Sequence, residues 1–170
     1  MTFKIATMAA VFGVSLLAAA KPVTVDVKNA QGQSVGTAKI TSAGKTGVKI
    51  SFTGKNLPAG EHAFHFHAVS KCEGPAFTSA GGHFNPGGKK HGMQNPEGAH
   101  AGDMNNFTAK PDGTAKLTFV NPNVTLSDGP NSLFTNGGTA LMIHAKADDM
   151  KSDPAGNAGD RIACGVIVKK

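Results

Sequence analysis

The sequence predicts an all-β fold, an antiparallel sandwich or barrel, on three observations. Apolar residues alternate with polar ones over short runs, Gly, Pro, Asn and Asp turns separate the runs, and no stretch of ten or more residues carries an amphipathic helical period. Strands this short, joined by such turns, bury an apolar face only by packing sheet on sheet or by closing on themselves. Val23, Val25 and Val27 open the series, and Val48, Ile50 and Phe52 repeat the alternation after the Thr46-Gly47 turn region. The run Glu61-His62-Ala63-Phe64-His65-Phe66-His67 reads as another strand. Thr114 to Val120 follows the turn signal Pro111-Asp112-Gly113, and Thr139 to His144 and Ile162 to Val168 complete the set. Two segments break the short-loop pattern, Ala68 to Asn106 and Lys146 to Asp160, and loops of that length in a compact domain are functional or disordered. The first holds most of the ligand-type residues and one of the two cysteines, so metal and cross-link are expected to order it.

The chain opens with Lys4, an apolar run from Ile5 to Leu17 and then Ala18-Ala19-Ala20, which reads as a secretory signal peptide (residues 1–20) cut after Ala20. The apolar run is shorter than the roughly 20 residues a spanning helix needs, so no membrane span is expected after processing. Residues 21–170 then form one domain. Processing removes one basic side chain and no acid, leaving 16 basic against 11 acidic. The lysines are scattered singly or in pairs (Lys89-Lys90, Lys169-Lys170), with no basic helix and no ladder of aromatics, which excludes nucleic acid as the partner. Net positive charge instead favours a small anionic substrate. Export puts Cys72 and Cys164, the only cysteines, in an oxidising compartment, where they should form one disulfide. Closing a loop of roughly 90 residues stabilises by up to about 4 to 5 kcal/mol in the chain-entropy model.

The histidines carry the chemistry. Side chains alternate across a strand, so Ala63, His65 and His67 share one face while His62, Phe64 and Phe66 share the other. With the Phe face in the core, His65 and His67 project outward as two imidazoles on a rigid strand, and imidazole is the commonest protein ligand for zinc and copper. His83, His91, His100 and Asp103 lie within 21 residues and make a closed tetrahedral zinc shell. Adding His65, His67 and His144 gives a second, all-nitrogen set that suits copper. Seven side chains are one short of two four-coordinate sites, so one histidine must serve both metals through its two ring nitrogens.

The stretches HAFHFH, SAGGHFNP, KKHG, HAGDMNN, IHAKADD and GNAGDRIACGVI resemble the copper/zinc superoxide dismutase family in its secreted bacterial form, over essentially all of residues 22 to 168. The resemblance implies an eight-stranded antiparallel Greek-key β-barrel, or sandwich, with two long functional loops. It implies copper on His65, His67, His83 and His144, zinc on His83, His91, His100 and Asp103, and His83 as the bridge. It makes His62 a histidine beside the site that ligates nothing, and Asp148 the carboxylate that joins His65 to His91. It gives Arg161 the anionic substrate, superoxide, and gives Cys72 and Cys164 the internal disulfide. The implied reaction is one-electron cycling of copper that turns two superoxide anions and two protons into O2 and hydrogen peroxide, in the periplasm or outside the cell. A mere metal carrier would need the ligands but neither Arg161 nor a bridge. The segment from Asp149 to Asp160 departs from the better-known pattern, because the charged residues that guide substrate there have no clear counterparts; Lys89, Lys90, Lys146 and Lys151 are the candidates. The sequence admits either a monomer or a homodimer.

Overall fold

The computed structural model describes residues 20–44 and 46–170, so the expected leader lies outside the described residues apart from Ala20. The strands are β1 (Val23–Asn29), β2 (Ser34–Ser42), β3 (Val48–Gly54), β4 (Gly60–His62), β5 (Phe64–His67), β6 (Phe107–Ala109), β7 (Ala115–Asn121), β8 (Thr139–His144) and β9 (Arg161–Ile167). β4 and β5 are halves of one strand parted at Ala63, the first pairing with β6 and the second with β8. Counted so, the strands among the described residues number eight, as expected. Seven form one antiparallel sheet in the order β5-β8-β9-β1-β2-β3-β7. The β4–β6 pair and the β6–β7 hairpin, where Lys110 N–H donates to the Thr114 carbonyl at 2.8 Å, bring the ends of that sheet round toward each other into a Greek-key barrel.

Alternation drives the closure. Val48, Ile50 and Phe52 on β3, Val25 and Val27 on β1, and Phe64 and Phe66 on β5 all turn into one core. Phe52, Phe64 and Phe107 meet there with ring centroids 5.5 to 5.8 Å apart. Burial of each such ring contributes on the order of 1.5–3 kcal/mol. β2 escaped the sequence reading because its core-facing residues, Gly36, Ala38 and Ile40, are mostly small. At Gly36 a Cβ would run into the Phe52 ring, so the large side chain on β3 dictates the small one on β2.

β8 is buried at all six positions. Leu141 and Ile143 face the barrel core, while Ala140 and Met142 join Phe77, Ala80 and Cys164 in a second, small apolar cluster. His65 and His67 do leave the core face as the alternation requires, yet they reach no solvent. The segments 68–106 and 145–160 fold over that side of the barrel and bury them. A third long connection, 122–138, was not expected as a feature; it carries the chain from β7 at one end of the seven-stranded sheet to β8, next to the strand at the other end. The Cys72–Cys164 disulfide is formed and ties the first covering segment to β9.

One irregularity decides what β9 presents. Ile143 pairs with Ala163, but the next rung joins His144 to Arg161, so Ile162 is left out as a bulge. Ile162 packs against the main core, and Arg161 takes the rung on the histidine side.

Candidate metal centre

Four buried ring nitrogens lack any hydrogen-bond partner: His65 Nδ1, His67 Nε2, His83 Nε2 and His144 Nε2. These four residues form one cluster whose ligand atoms lie within 4.8 Å of one another. An unpaired buried acceptor costs about 1–3 kcal/mol, and four converging lone pairs have no account in folding alone. The far nitrogen of each ring is held. His65 Nε2–H donates to Asp148 Oδ2 at 2.8 Å and His67 Nδ1–H to the Gly81 carbonyl at 2.9 Å. His144 Nδ1 lies 3.3 Å from the Gly159 carbonyl, and His83 Nδ1 2.9 Å from Asp103 Oδ1. Carboxylates and carbonyls only accept, so these contacts put the protons of His65, His67 and His144 on the far nitrogens and leave the inward ones bare. An all-imidazole set of this kind fits copper.

The second set is His83, His91, His100 and Asp103. Asp103 Oδ1 stands 2.9, 3.1 and 3.3 Å from the Nδ1 atoms of His83, His91 and His100, and the Nδ1 atoms of His83 and His100 are 3.4 Å apart. A tetrahedron with metal–ligand bonds of about 2.0–2.1 Å has edges of about 3.3 Å, so the donor set fits zinc. Asp103 divides its labour: Oδ2 accepts the backbone N–H groups of Gly92 and His100 at 2.9 and 3.0 Å, which fixes the loop, while Oδ1 faces the rings. His83 belongs to both sets, by Nε2 to the first and by Nδ1 to the second.

Asp148 links the two. Its Oδ2 meets His65 and its Oδ1 meets His91 Nε2 at 3.0 Å, so His91 Nδ1 is turned toward Asp103. Asn106 clasps the backbone of Asp148 with two bonds of 2.9 Å, its amide donating to the carbonyl and accepting from the N–H. Gly156 covers the carboxylate at φ +63, and a Cβ there would collide with Asp148 Oδ1. Asp153 Oδ1 accepts the His91 N–H at 2.7 Å and Met150 carbonyl the Gln94 N–H at 3.0 Å, so segment 145–160 holds the zinc-side loop in place. The sequence reading missed Asn106 and Gly156; an Asn-Asn pair and a glycine in a polar loop carry no local signal of what they hold.

Burial leads in setting the charges of His65, His67 and His144: it holds them at about 4, about 2 and about 3, so these three rings are neutral at pH 7. Burial likewise lowers His100. Burial opposes charge on His91 as well, but the hydrogen bonds that its ring donates to Asp103 and Asp148 outweigh it and raise that ring to about 9. Burial alone would raise the two carboxyls, yet the imidazoles of His83 and His91 on Asp103, and of His65 and His91 on Asp148, hold both well below the usual carboxylate range.

Arg161 is half-buried and clamped by two carbonyls that flank the 3-10 turn Thr78–Ala80: Nη1 donates to Phe77 at 2.8 Å and Nη2 to Gly81 at 2.7 Å. Gly81 also holds His67, so one carbonyl ties the guanidinium to the first histidine set. A guanidinium has five N–H donors, and the clamp leaves others for an anion. Beside it opens a basin of about 760 Å3 lined by Thr78, Gly159, Asp160 and Arg161 among others. His62 stands apart from both sets: it is buried against Phe107, with ring nitrogens 2.8 Å from the Pro58 carbonyl and 2.9 Å from that of His144. Lys89, Lys90, Lys146 and Lys151 are all exposed, and Lys90 pairs with Asp153 at 3.2 Å.

Comparison with known proteins gives a consistent result. The copper/zinc superoxide dismutase family model matches residues 34–167. The chain is 53% identical over 144 residues to a copper-zinc superoxide dismutase of Aquifex aeolicus, covering 84% of this chain and 85% of that protein. Among solved structures, a superoxide dismutase-like protein from Bacillus subtilis superposes with a TM-score of 0.82 at 35% identity, covering 85% of this chain and 97% of that one. The copper/zinc superoxide dismutase of Brucella abortus gives a TM-score of 0.71 at 31% identity, covering 86% and 99%.

Proposed function

The chain belongs to the copper/zinc superoxide dismutase family, and from that premise we propose that His65, His67, His83 and His144 hold copper, that His83, His91, His100 and Asp103 hold zinc, and that Arg161 receives the substrate. The enzyme converts two superoxide anions and two protons into O2 and hydrogen peroxide. The observation that carries the residue assignment is the pairing of four orphaned buried nitrogens with a second four-donor set that shares His83.

Copper, when bound, supplies the one-electron couple that oxidises one superoxide and reduces the next, while zinc supplies charge without redox chemistry. The protein does the rest. Arg161 offers its unused N–H groups and a fixed positive charge at the edge of the histidine set, where a small anion gains charge-assisted hydrogen bonds. His83 can serve both sets only with both nitrogens bare, as an imidazolate. Its Nε2 is then also the atom that can hold a proton and hand it to the reduced product. Asp103, through the loop that it organises, keeps His83 Nδ1 turned away so that Nε2 stays aimed at the site. The covering loops exclude bulk water from all seven side chains.

On this reading residues 1–20 are a leader, residues 21–170 the working domain, and the protein operates in the periplasm or outside the cell. The Cys72–Cys164 bridge supports an oxidising compartment. Among the described residues no helix is long and apolar enough to cross a membrane. The test is elemental analysis of the purified mature protein beside its superoxide-consuming rate. One copper and one zinc per chain, with activity that follows copper, is expected; full activity with a single metal in total would overturn the shared-histidine assignment.

A further inference from the structure

We infer that Phe77 is a positioning residue for Arg161: its ring, seated in the small apolar cluster beside the disulfide, fixes a left-handed backbone that aims its carbonyl at the guanidinium. The inference rests on the reading of Arg161 as the substrate-binding group.

Phe77 has φ 54 and ψ 26, a conformation that L side chains avoid and that glycine adopts freely. A large apolar residue stands there nonetheless, and its ring is 3% exposed, packed with Ala80, Ala140, Met142 and Cys164. Cys72, the other half of the disulfide, lies against the same cluster. The ring is thus the anchor that makes the strained backbone tolerable. The Phe77 carbonyl accepts the Ala80 N–H at 3.1 Å, which starts the 3-10 turn, and Arg161 Nη1 at 2.8 Å. Four residues on, at the other end of that turn, the Gly81 carbonyl accepts Nη2. A guanidinium is planar, so two fixed acceptors define both its place and its tilt. With the ring removed, the turn loses its anchor, one of the two acceptors drifts, and the group that must meet the anion pivots about Gly81 alone.

The chemistry of Phe77 itself touches nothing that reacts, which makes the test a matter of coupling. Phe77→Ala, Phe77→Leu, Arg161→Ala and the double variant Phe77→Ala/Arg161→Ala are loaded with copper and zinc, and metal content is checked. The second-order rate and the dissociation constant of azide, a small anion, are measured on each. In the zinc-loaded, copper-free proteins, which are diamagnetic, the hydrogen exchange of Arg161 Nε–H is followed by nuclear magnetic resonance. We expect Phe77→Ala to slow the rate and weaken azide about three- to tenfold, to speed Nε–H exchange at least tenfold, and to cost almost nothing further once Arg161 is Ala. Phe77→Leu, which refills the cluster, should restore at least half of each loss and gives the comparison if the Ala variant does not fold. Wild-type azide affinity and exchange in Phe77→Ala, or in its place a Phe77→Leu protein whose losses of rate and azide affinity are as large as those of Arg161→Ala, would overturn the inference. So would a loss of rate undiminished in the Arg161→Ala background. Failure of the Arg161 reading looks different: Arg161→Ala would itself keep the wild-type rate.

Discussion

Replacing Asp148 by Asn removes one charge and almost no volume, and it should strip zinc in preference to copper. The carboxylate accepts a ring N–H from His65 at 2.8 Å and from His91 at 3.0 Å, and each bond keeps the opposite nitrogen bare for a metal. An amide has one accepting oxygen and one donating nitrogen, so it can serve one of these rings and must confront the other with a donor. The ring that loses turns over to the wrong tautomer or swings away. His65 sits in the β5 ladder opposite Met142, whereas His91 hangs on a loop, so His91 yields. A hydrogen bond to a charged group is worth about 1.5–3 kcal/mol, which converts to about 10- to 150-fold in affinity. That agrees with the 10- to 100-fold typical when a ligand's outer partner is lost. Zinc affinity of Asp148→Asn, measured by competition with a chelator of known strength, should fall by about that factor, and copper affinity by less. Zinc binding within twofold of wild type would refute the argument that Asp148 fixes the His91 tautomer.

Other consequences can be checked as directly. Arg161→Ala should lower the second-order rate about tenfold or more with metal content unchanged, Lys in its place should recover part, and the fall of the wild-type rate with rising salt should flatten in the Ala variant, since screening acts over about 10 Å at 0.1 M. Equal rates for Ala and wild type at low salt would remove Arg161 from the reaction. Asp103→Ala should lose zinc, free the Gly92 and His100 N–H groups together, and lower the melting temperature of the metal-loaded protein markedly; an unchanged melting temperature would count against zinc as a clamp. In the metal-free protein His91 is raised to about 9 against an unfolded value near 6.5, so its contribution to stability is complete below about pH 6.5 and is lost as pH climbs through 9. Zinc must displace that proton, and calorimetry at pH 7.5 in buffers of different ionisation enthalpy should register about one proton from His91 per zinc, absent in His91→Ala.

Period-two alternation was enough to separate Phe64 and Phe66 from His65 and His67, because a strand has no freedom to do otherwise. Spacing grouped His83, His91, His100 and Asp103 for the same kind of reason: a tight loop can bring near neighbours to one ion. What the sequence hid is whatever depends on partners remote in the chain. β2 shows a weak apolar pattern because the Phe52 ring of β3 fills the space at Gly36. The outward histidines are buried because the long segment that follows them and a second one about 80 residues on fold back over them, and nothing in HAFHFH announces a cover. Asn106 acts on Asp148 from 42 residues away, and Phe77 on Arg161 from 84.

The skipped rung at Ile162 has a consequence for how the arginine can be altered or transplanted. Along an unbroken β9, Ile162 would share a side with Cys164, and Arg161 would point where Ala163 points, into the oil of the barrel. The extra residue shifts the phase of the strand by one between the disulfide and the active group, so a covalent anchor and a solvent-reaching cation can sit three positions apart on the same flank. Deleting Ile162 would bring the strand into step with Arg161 two places before Cys164, so the guanidinium should stay on the histidine flank and only the apolar contact of Ile162 with the core is lost. At the native spacing of three, any scaffold meant to borrow this cysteine and arginine must borrow the stumble between them, because that spacing alone aims the charge inward.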